Sequence, residues 1–390
     1  MCFNDMITKT ISIICLVFLF NIPISSQVKI RLFSDSAPLS AVFSAREGEF
    51  ILDDGSGKSL IISEGDIVFI SRSGSRLAVK TRTEKIFLCD SIFISGRAAD
   101  NIFALREGNN SSAWRIYSGD LKCFPDMGSI LLINICEAES YIAGVVMTEG
   151  GPGRHPEYLR TQAVIARTYM YRYMDRHLSD GFNLCDNIHC QAFKGITTDP
   201  AVVEASRVTR NEVIAGPDSS VIIAAFHSNC GGETVCAGDV WLTPQSYLTR
   251  IMDPHCRSSR NSVWRKSIPL EVWINYLIRS GCEKKNTAHG LLNYSQKNRA
   301  TEYKAGDFTM PLKQIRDDFS LRSTFFSVAV EGDSAVFTGR GYGHGVGLCQ
   351  EGAISMALKG FSYRQIIGFY YPGVKIADID DTKPVERPPV

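Results

Sequence analysis

The sequence predicts an α+β protein, a core of mixed helices and antiparallel strands preceded by an all-β accessory region. Three observations carry this. Short runs of β-formers such as "VKIRLF", "DIVFIS" and "RLAVKT", separated by turn residues, fill residues 27–120. Apolar residues then recur at helical spacing at Leu159, Ala163, Ala166, Met170 and Tyr173. Near the end a strand pattern runs through a glycine-rich turn, "GRGYGHGVGLCQEGA" at 339–353, into a further helix.

Taken in order, residues 1–26 have the layout of a secretory signal. Lys9 precedes the apolar run "ISIICLVFLF", and Pro23, Ser25 and Ser26 follow near a cut site. The run is too short to span a bilayer comfortably, so the mature chain is expected to begin near Gln27, exported and with no membrane span left. Residues 27–120 read as the accessory β domain, with a hairpin signal in "DDGSG". The character changes over residues 121–376. A helix is expected over 138–147, its end marked by Glu149 and "GGPG", and a second starts with Pro156 in its first turn, where proline is tolerated. Strand returns over 210–226, an amphipathic helix over 269–280, and two more helices over 351–370. The proline-rich tail, 377–390, is expected to be disordered.

Of 390 residues, 44% are hydrophobic and 21% charged, with a formal net charge of +1. That balance allows a sizeable core and excludes a nucleic-acid partner recognised by bulk electrostatics. Ten of the twelve cysteines remain after the first 26 residues, and in an exported chain a disulfide is the default reading of such a set.

Four stretches can carry chemistry. Glu149 ends a helix beside a small-residue loop; a carboxylic acid in a partly enclosed pocket has a raised pKa and can protonate a leaving oxygen. Arg160 and Arg167, two turns apart on one helix face, are placed to face it. The plain alternative is a helix-terminal Glu in water. In "HLSDGFNLCDNIHC", His177, Cys185, His189 and Cys190 crowd into fourteen residues. Zinc takes S and N ligands in tetrahedral sets, although ligation by both neighbours His189 and Cys190 is awkward, and a Cys185–Cys190 disulfide competes. The interleaved histidines favour the metal. In "FHSNCGGETVCAGDVW", Ser228, Asn229, Gly231 and Gly232 offer small polar groups and backbone N–H to a ligand such as a sugar, or else make a tight hairpin. Among Cys230, Cys236 and Cys256 a disulfide is expected rather than a second metal. Finally, the glycine turn puts His344 at the turn and Gln350 at a helix start. It lacks the spacing of a dinucleotide fingerprint, and suits a glycan lying on bare backbone with Tyr342 stacked on a sugar ring.

Together "ESYIAGVVMTEGGPGRHPEYLRTQAVIARTYMYRY", "FHSNCGGETVCAGDVW" and "GRGYGHGVGLCQEGAISMALKGFSYRQIIGFYYPGVKI" resemble the stage II sporulation protein D / amidase-enhancer family of bacteria, in the family's order, over about residues 120–376. The resemblance implies a lytic transglycosylase that cleaves MurNAc–GlcNAc bonds of peptidoglycan, preferring strands already denuded by an amidase, in the periplasm or cell-wall space. It puts the catalytic acid on Glu149, supporting basic groups on Arg160 and Arg167, and a structural zinc on His177, Cys185, His189 and Cys190. A non-catalytic glycan-binding enhancer of an amidase is the competing implication.

Overall fold

The strand at Gln27–Leu32 buries Val28, Ile30 and Leu32 and turns Gln27 and Lys29 outward, the period-two alternation of a half-buried strand. In a computed structural model the chain is described over residues 27–82, 86–109, 112–241 and 243–383; the expected signal at 1–26 lies outside these. Gln27–Leu32 pairs antiparallel with Ser129–Glu137 and parallel with Leu184–Cys185. Those strands belong to a seven-stranded sheet that continues through Asp120–Asp126, Ile92–Gly96, Phe50–Asp53 and Ser59–Ile62. A six-stranded antiparallel sheet made from residues 40–118 lies against it. Phe50 of the first sheet meets Phe43 and Phe103 of the second, edge to face at 5.3 and 6.1 Å, a geometry favoured by ring quadrupoles.

The boundary expected at residue 120 falls inside this architecture, because Asp120 opens a strand of the first sheet. Rings continue from the sheets into the helical part: Phe103, Tyr117, Phe193 and Tyr141 stand 5.6, 5.9 and 5.1 Å apart in turn. One hydrophobic core therefore serves the β-rich region and the first helices.

Those helices are α1 (Ala138–Gly150), α2 (Pro156–Arg172) and α3 (Pro200–Val208). The middle of α1 is buried on every side, from Tyr141 to Val146, as befits a helix apolar all round. Pro156 opens α2 as expected, and the His155 ring accepts the Glu157 N–H as its cap. Leu159, Ala163, Ala166 and Met170 are all buried.

After the short α4 (Gly238–Trp241), residues 263–340 build a second core. Strands Val263–Pro269, Phe326–Glu331 and Ser334–Arg340 form an antiparallel sheet. On it pack α5 (Leu270–Arg279), α6 (His289–Leu292) and α7 (Leu312–Asp318). Trp273 sits at its centre, within 5.7 Å of the rings of Tyr276, Tyr303, Phe319 and Phe337. Val263 pairs with Arg340, so this segment leaves the first core and returns to it at one place. The glycine turn then leads to α8 (Gln350–Leu358) and α9 (Tyr363–Tyr370).

Two local expectations change. Strand occupies only Glu212–Ala215 and Phe226–His227 of 210–226. The tail expected to be disordered from 377 is ordered to Lys383, because Lys375–Asp378 pairs with Glu212–Ala215; residues 384–390 lie outside the described ones. Among the described residues no helix is long and apolar enough to cross a membrane.

Candidate functional site

α1 runs one turn further than its periodicity indicated, so Glu149 stands in its last turn. Gly151, with φ +77°, ends the helix and donates to the Met147 carbonyl, a left-handed-side conformation that glycine adopts without strain. The Glu149 carboxyl is half-buried and accepts one backbone N–H, from Ala192, at 3.0 Å. Burial raises its pKa above the ordinary 4.5, and the Ala192 bond offsets this only in part. Its place at a helix C-terminus, the negative end of the dipole, acts in the same direction as burial. The Glu149 carbonyl accepts from the Gln350 amide at 3.3 Å, and the Arg154 guanidinium holds the Gly150 carbonyl at 3.0 Å. The starts of α2 and α8 thus close around the end of α1. Burial and the helix terminus both disfavour the carboxylate relative to a freely solvated Glu side chain.

The loop that supplies Ala192 is the one carrying the Cys/His cluster. The ligand atoms of His177, Cys185, His189 and Cys190 all lie within 4.8 Å of one another. His189 Nδ1 is 3.6 Å from both sulfurs, and His177 Nε2 is 3.6 Å from Cys190 Sγ. A tetrahedral ion with Zn–S near 2.3 Å and Zn–N near 2.05 Å sets such S···N edges at about 3.6 Å, so the set fits a metal. The neighbours His189 and Cys190, awkward as co-ligands on paper, converge because Cys190 turns inward while the Asn187 side chain caps the His189 N–H. Both cysteines are free thiols, not a disulfide. The Cys185 thiol beside Cys190 holds the latter down to about 6, a thiolate suited to ligation. Ala192 follows two residues later, so ordering this loop sets the one N–H on the acid.

Arg160 and Arg167 are not brought to Glu149. Arg160 pairs with Glu157 on its own helix. Arg167, 0% exposed, grips Glu139 through Nε at 2.9 Å and Nη2 at 2.6 Å and also donates to the Ser206 and Glu212 carbonyls. Glu139 lies ten residues before Glu149, about 15 Å along α1. The pair therefore fastens α1, α2 and α3 together, away from the acid. A cavity of about 930 Å³ also opens at that far end, beside Glu139, Ser140 and Arg207.

The glycine turn has a different cause from the one its sequence suggested. What approaches its backbone is the loop at 225–231. A Cβ on Gly341 (φ +79°) would stand 2.6 Å from the Asn229 carbonyl oxygen, and one on Gly347 (φ +70°) would overlap the Ala225 carbonyl oxygen. Asn229 and Tyr342 exchange backbone hydrogen bonds at 3.0 and 2.8 Å. Phe226–His227 pairs parallel with Leu348–Cys349. Gly231 (φ +72°) and Gly232 (φ +97°) turn the loop beneath Arg340 and Arg257.

Asn229 belongs to this packing rather than to a binding surface. It is fully buried, and its Nδ2 donates to the Cys256 carbonyl, Ser259 Oγ and Glu351 Oε2 while its Oδ1 accepts the Gly231 N–H. Asn229→Ala is expected to destabilise the protein by about 1–3 kcal/mol, read as a lower urea midpoint; an unchanged midpoint would mean that these bonds do not hold the loop. Ser228 stays half-buried beside α8, its carbonyl taking the Glu351 N–H.

Tyr342 is 46% exposed, with the Arg322 guanidinium 5.8 Å from its ring. His344 accepts the Val346 N–H at Nδ1, and burial lowers its pKa to about 4, so it is a neutral imidazole. Its ring lies 5.2 Å from Trp241 and 5.5 Å from His227. Trp241 and Ala192 were not singled out by pattern. Trp241 closes the quoted stretch "CAGDVW", where an aromatic after a glycine loop was the available signal. Ala192 acts through its backbone and leaves no side-chain trace. The disulfide expected among Cys230, Cys236 and Cys256 is also absent: all three are free.

Residues 126–215 match the SpoIID family profile, described as stage II sporulation protein. An uncharacterized protein of Brachyspira hyodysenteriae is 30% identical over 268 residues, 67% of this chain and 72% of that protein. Stage II sporulation protein D of Bacillus subtilis is 25% identical over 258 residues, 62% of this chain and 75% of the relative. The amidase enhancer of the same organism is 25% identical over 288 residues, 60% of this chain and 40% of the enhancer.

Proposed function

Because the chain belongs to the stage II sporulation protein D family, we propose that it is an exported lytic transglycosylase of peptidoglycan, cleaving MurNAc–GlcNAc bonds to 1,6-anhydro ends. The observation that carries this reading is the Glu149 carboxyl, desolvated at a helix C-terminus and holding a single backbone N–H. Glycoside hydrolysis generally needs two carboxyl groups; a transglycosylase can work with one. Glu149 protonates the glycosidic oxygen, and an oxocarbenium-like state forms at the anomeric carbon of the muramic ring. The ring's own C6 hydroxyl attacks that carbon, and Glu149 takes back its proton. The nucleophile is already tethered, so little entropy is lost in bringing it to the carbon. Ala192 steadies the carboxyl and Gln350 the backbone behind it. Tyr342 offers its exposed ring face to a sugar, with Ser228 beside it.

The Cys/His cluster takes a zinc ion with a structural role in this reading. The four side chains would complete a zinc ion's coordination, with no position left for substrate, and the chain's own residues carry the acid–base work. The expected substrate is a glycan strand already stripped of stem peptides, which makes an amidase the upstream partner.

Catalysis requires protonated Glu149. The rate is therefore expected to fall as pH rises through the raised Glu149 pKa, giving an alkaline limb in kcat/KM above 4.5. A limb at or below 4.5 would contradict a desolvated acid. Mass spectrometry of denuded glycan strands treated with the protein tests the reaction itself. Anhydromuramic ends are expected; glycan bound but uncut would favour the second reading, a binding enhancer of an amidase, which the relative named amidase enhancer supports.

A further inference from the structure

We propose that Cys230, Asp253, Cys256 and Cys349 form a second metal site, a three-sulfur, one-oxygen set for a zinc-class divalent ion that locks the 225–231 loop onto the start of α8. The four donor atoms lie within 4.8 Å of one another, and all four residues are 0% exposed. Cys230 Sγ is 3.2 Å from Asp253 Oδ2 and 3.4 Å from Cys256 Sγ. A tetrahedral ion at zinc–sulfur and zinc–oxygen bond lengths sets edges of about 3.6–3.8 Å, so small movements seat it.

Three further features belong to a metal centre rather than to a patch of apolar thiols. Cys349 Sγ accepts two backbone N–H groups, from Cys230 at 3.3 Å and Gly352 at 3.4 Å, the outer-shell bonding that steadies a ligating thiolate. Asp253 is oriented from both sides, by the His255 N–H at 2.7 Å and the Tyr370 hydroxyl at 2.9 Å. Gly352 keeps the space clear: a Cβ there would stand 2.5 Å from Asp253 Oδ2 and overlap the Tyr370 hydroxyl. A buried carboxylate beside thiols is costly unless paired or bound to metal. A Cys230–Cys256 disulfide would leave Cys349 odd and Asp253 without a counter-charge at that spot. The Arg299 guanidinium is engaged by the Cys230 and Glu233 carbonyls. Three thiolates with one carboxylate favour a borderline-soft ion, which among abundant divalent metals selects zinc over magnesium or calcium.

The location gives the ion a task. Cys230 follows Ser228 and Asn229, and Cys349 precedes Gln350, whose amide holds the Glu149 carbonyl. The first cluster lies in the loop that brings the Ala192 N–H to Glu149, and the second would fix the chain that leads into Gln350. This assignment does not depend on the reaction proposed above.

The test is a metal count on the full-length protein as purified, by native and elemental mass spectrometry, with two double variants alongside. Two ions per chain are expected in the wild type. One is expected in Cys256→Ser/Cys349→Ser, and one in His189→Ala/Cys190→Ser. A wild-type content that the Cys256→Ser/Cys349→Ser change does not lower would overturn the site. So would a Cys230–Cys256 disulfide found by non-reducing peptide mapping. Where that variant fails to fold, cobalt substitution of the wild type decides. Sulfur-to-cobalt charge transfer matching five thiolates over two ions supports the second site, and two thiolates on one ion refutes it. If the wild type holds a single ion, its retention in His189→Ala/Cys190→Ser assigns it to the second cluster, and its loss there refutes the proposal.

Discussion

Glu149→Gln is expected to lower the release of anhydromuramic ends by about 10²- to 10⁴-fold, the usual contribution of a positioned acid, while glycan binding persists. The amide keeps the shape and can still accept from Ala192, so the change isolates the proton. Its effect on stability has the opposite sign to its effect on rate. A carboxyl whose folded-state pKa is raised contributes its stability at low pH and loses it as pH rises from the unfolded value through the folded one. At neutral pH the folded protein holds an unfavourable buried charge that Gln removes. The variant's Tm at pH 7 is therefore expected to equal or exceed that of the wild type, with the difference vanishing in acid. Product analysis and thermal melts over pH 4–8 read both effects. A rate within tenfold of wild type would mean that another group supplies the proton.

Arg167→Met is expected to act in the reverse manner, on stability and not on chemistry. Removing one partner of a buried pair leaves the other uncompensated, at a cost of about 3–5 kcal/mol. Here Glu139 would lose its bidentate partner, and the Ser206 and Glu212 carbonyls would lose donors. Urea denaturation reads the loss, and the rate per folded molecule should stay close to wild type. Adding Glu139→Gln should recover part of the stability, since neither charge is then left alone. A rate collapse at unchanged stability would instead restore Arg167 to the cleft.

Much of the fold was legible from local chemistry. The β-rich start, α2 with Pro156 at its head, α5, α8 and α9 all follow from periodicity and terminal residues, which act over one or two turns of chain. The division at residue 120 was not legible, because strand pairing between Gln27–Leu32 and residues as distant as Leu184 leaves no local trace. The ordered tail has the same origin: Lys375–Asp378 is polar and short, and becomes a strand only because Glu212–Ala215 offers it an edge.

The site divides along the same line. Glu149 and the Cys/His cluster stood out by residue type and spacing, since an acid at a helix end and four soft ligands in fourteen residues are chemistry written locally; the roles proposed for them came from the family resemblance. Arg167 was misplaced because helical spacing gives a face but not what the face meets; Glu139, ten residues before the acid, takes it. The six glycines of 339–352 announced a close approach, yet only the tertiary structure names what comes near, the Asn229 carbonyl at Gly341 and the Ala225 carbonyl at Gly347 among them. Cys230, Cys256 and Cys349 are spread over 120 residues of sequence and converge on Asp253. Chain-distant convergence is decided by packing of the whole core, which no single stretch of residues encodes.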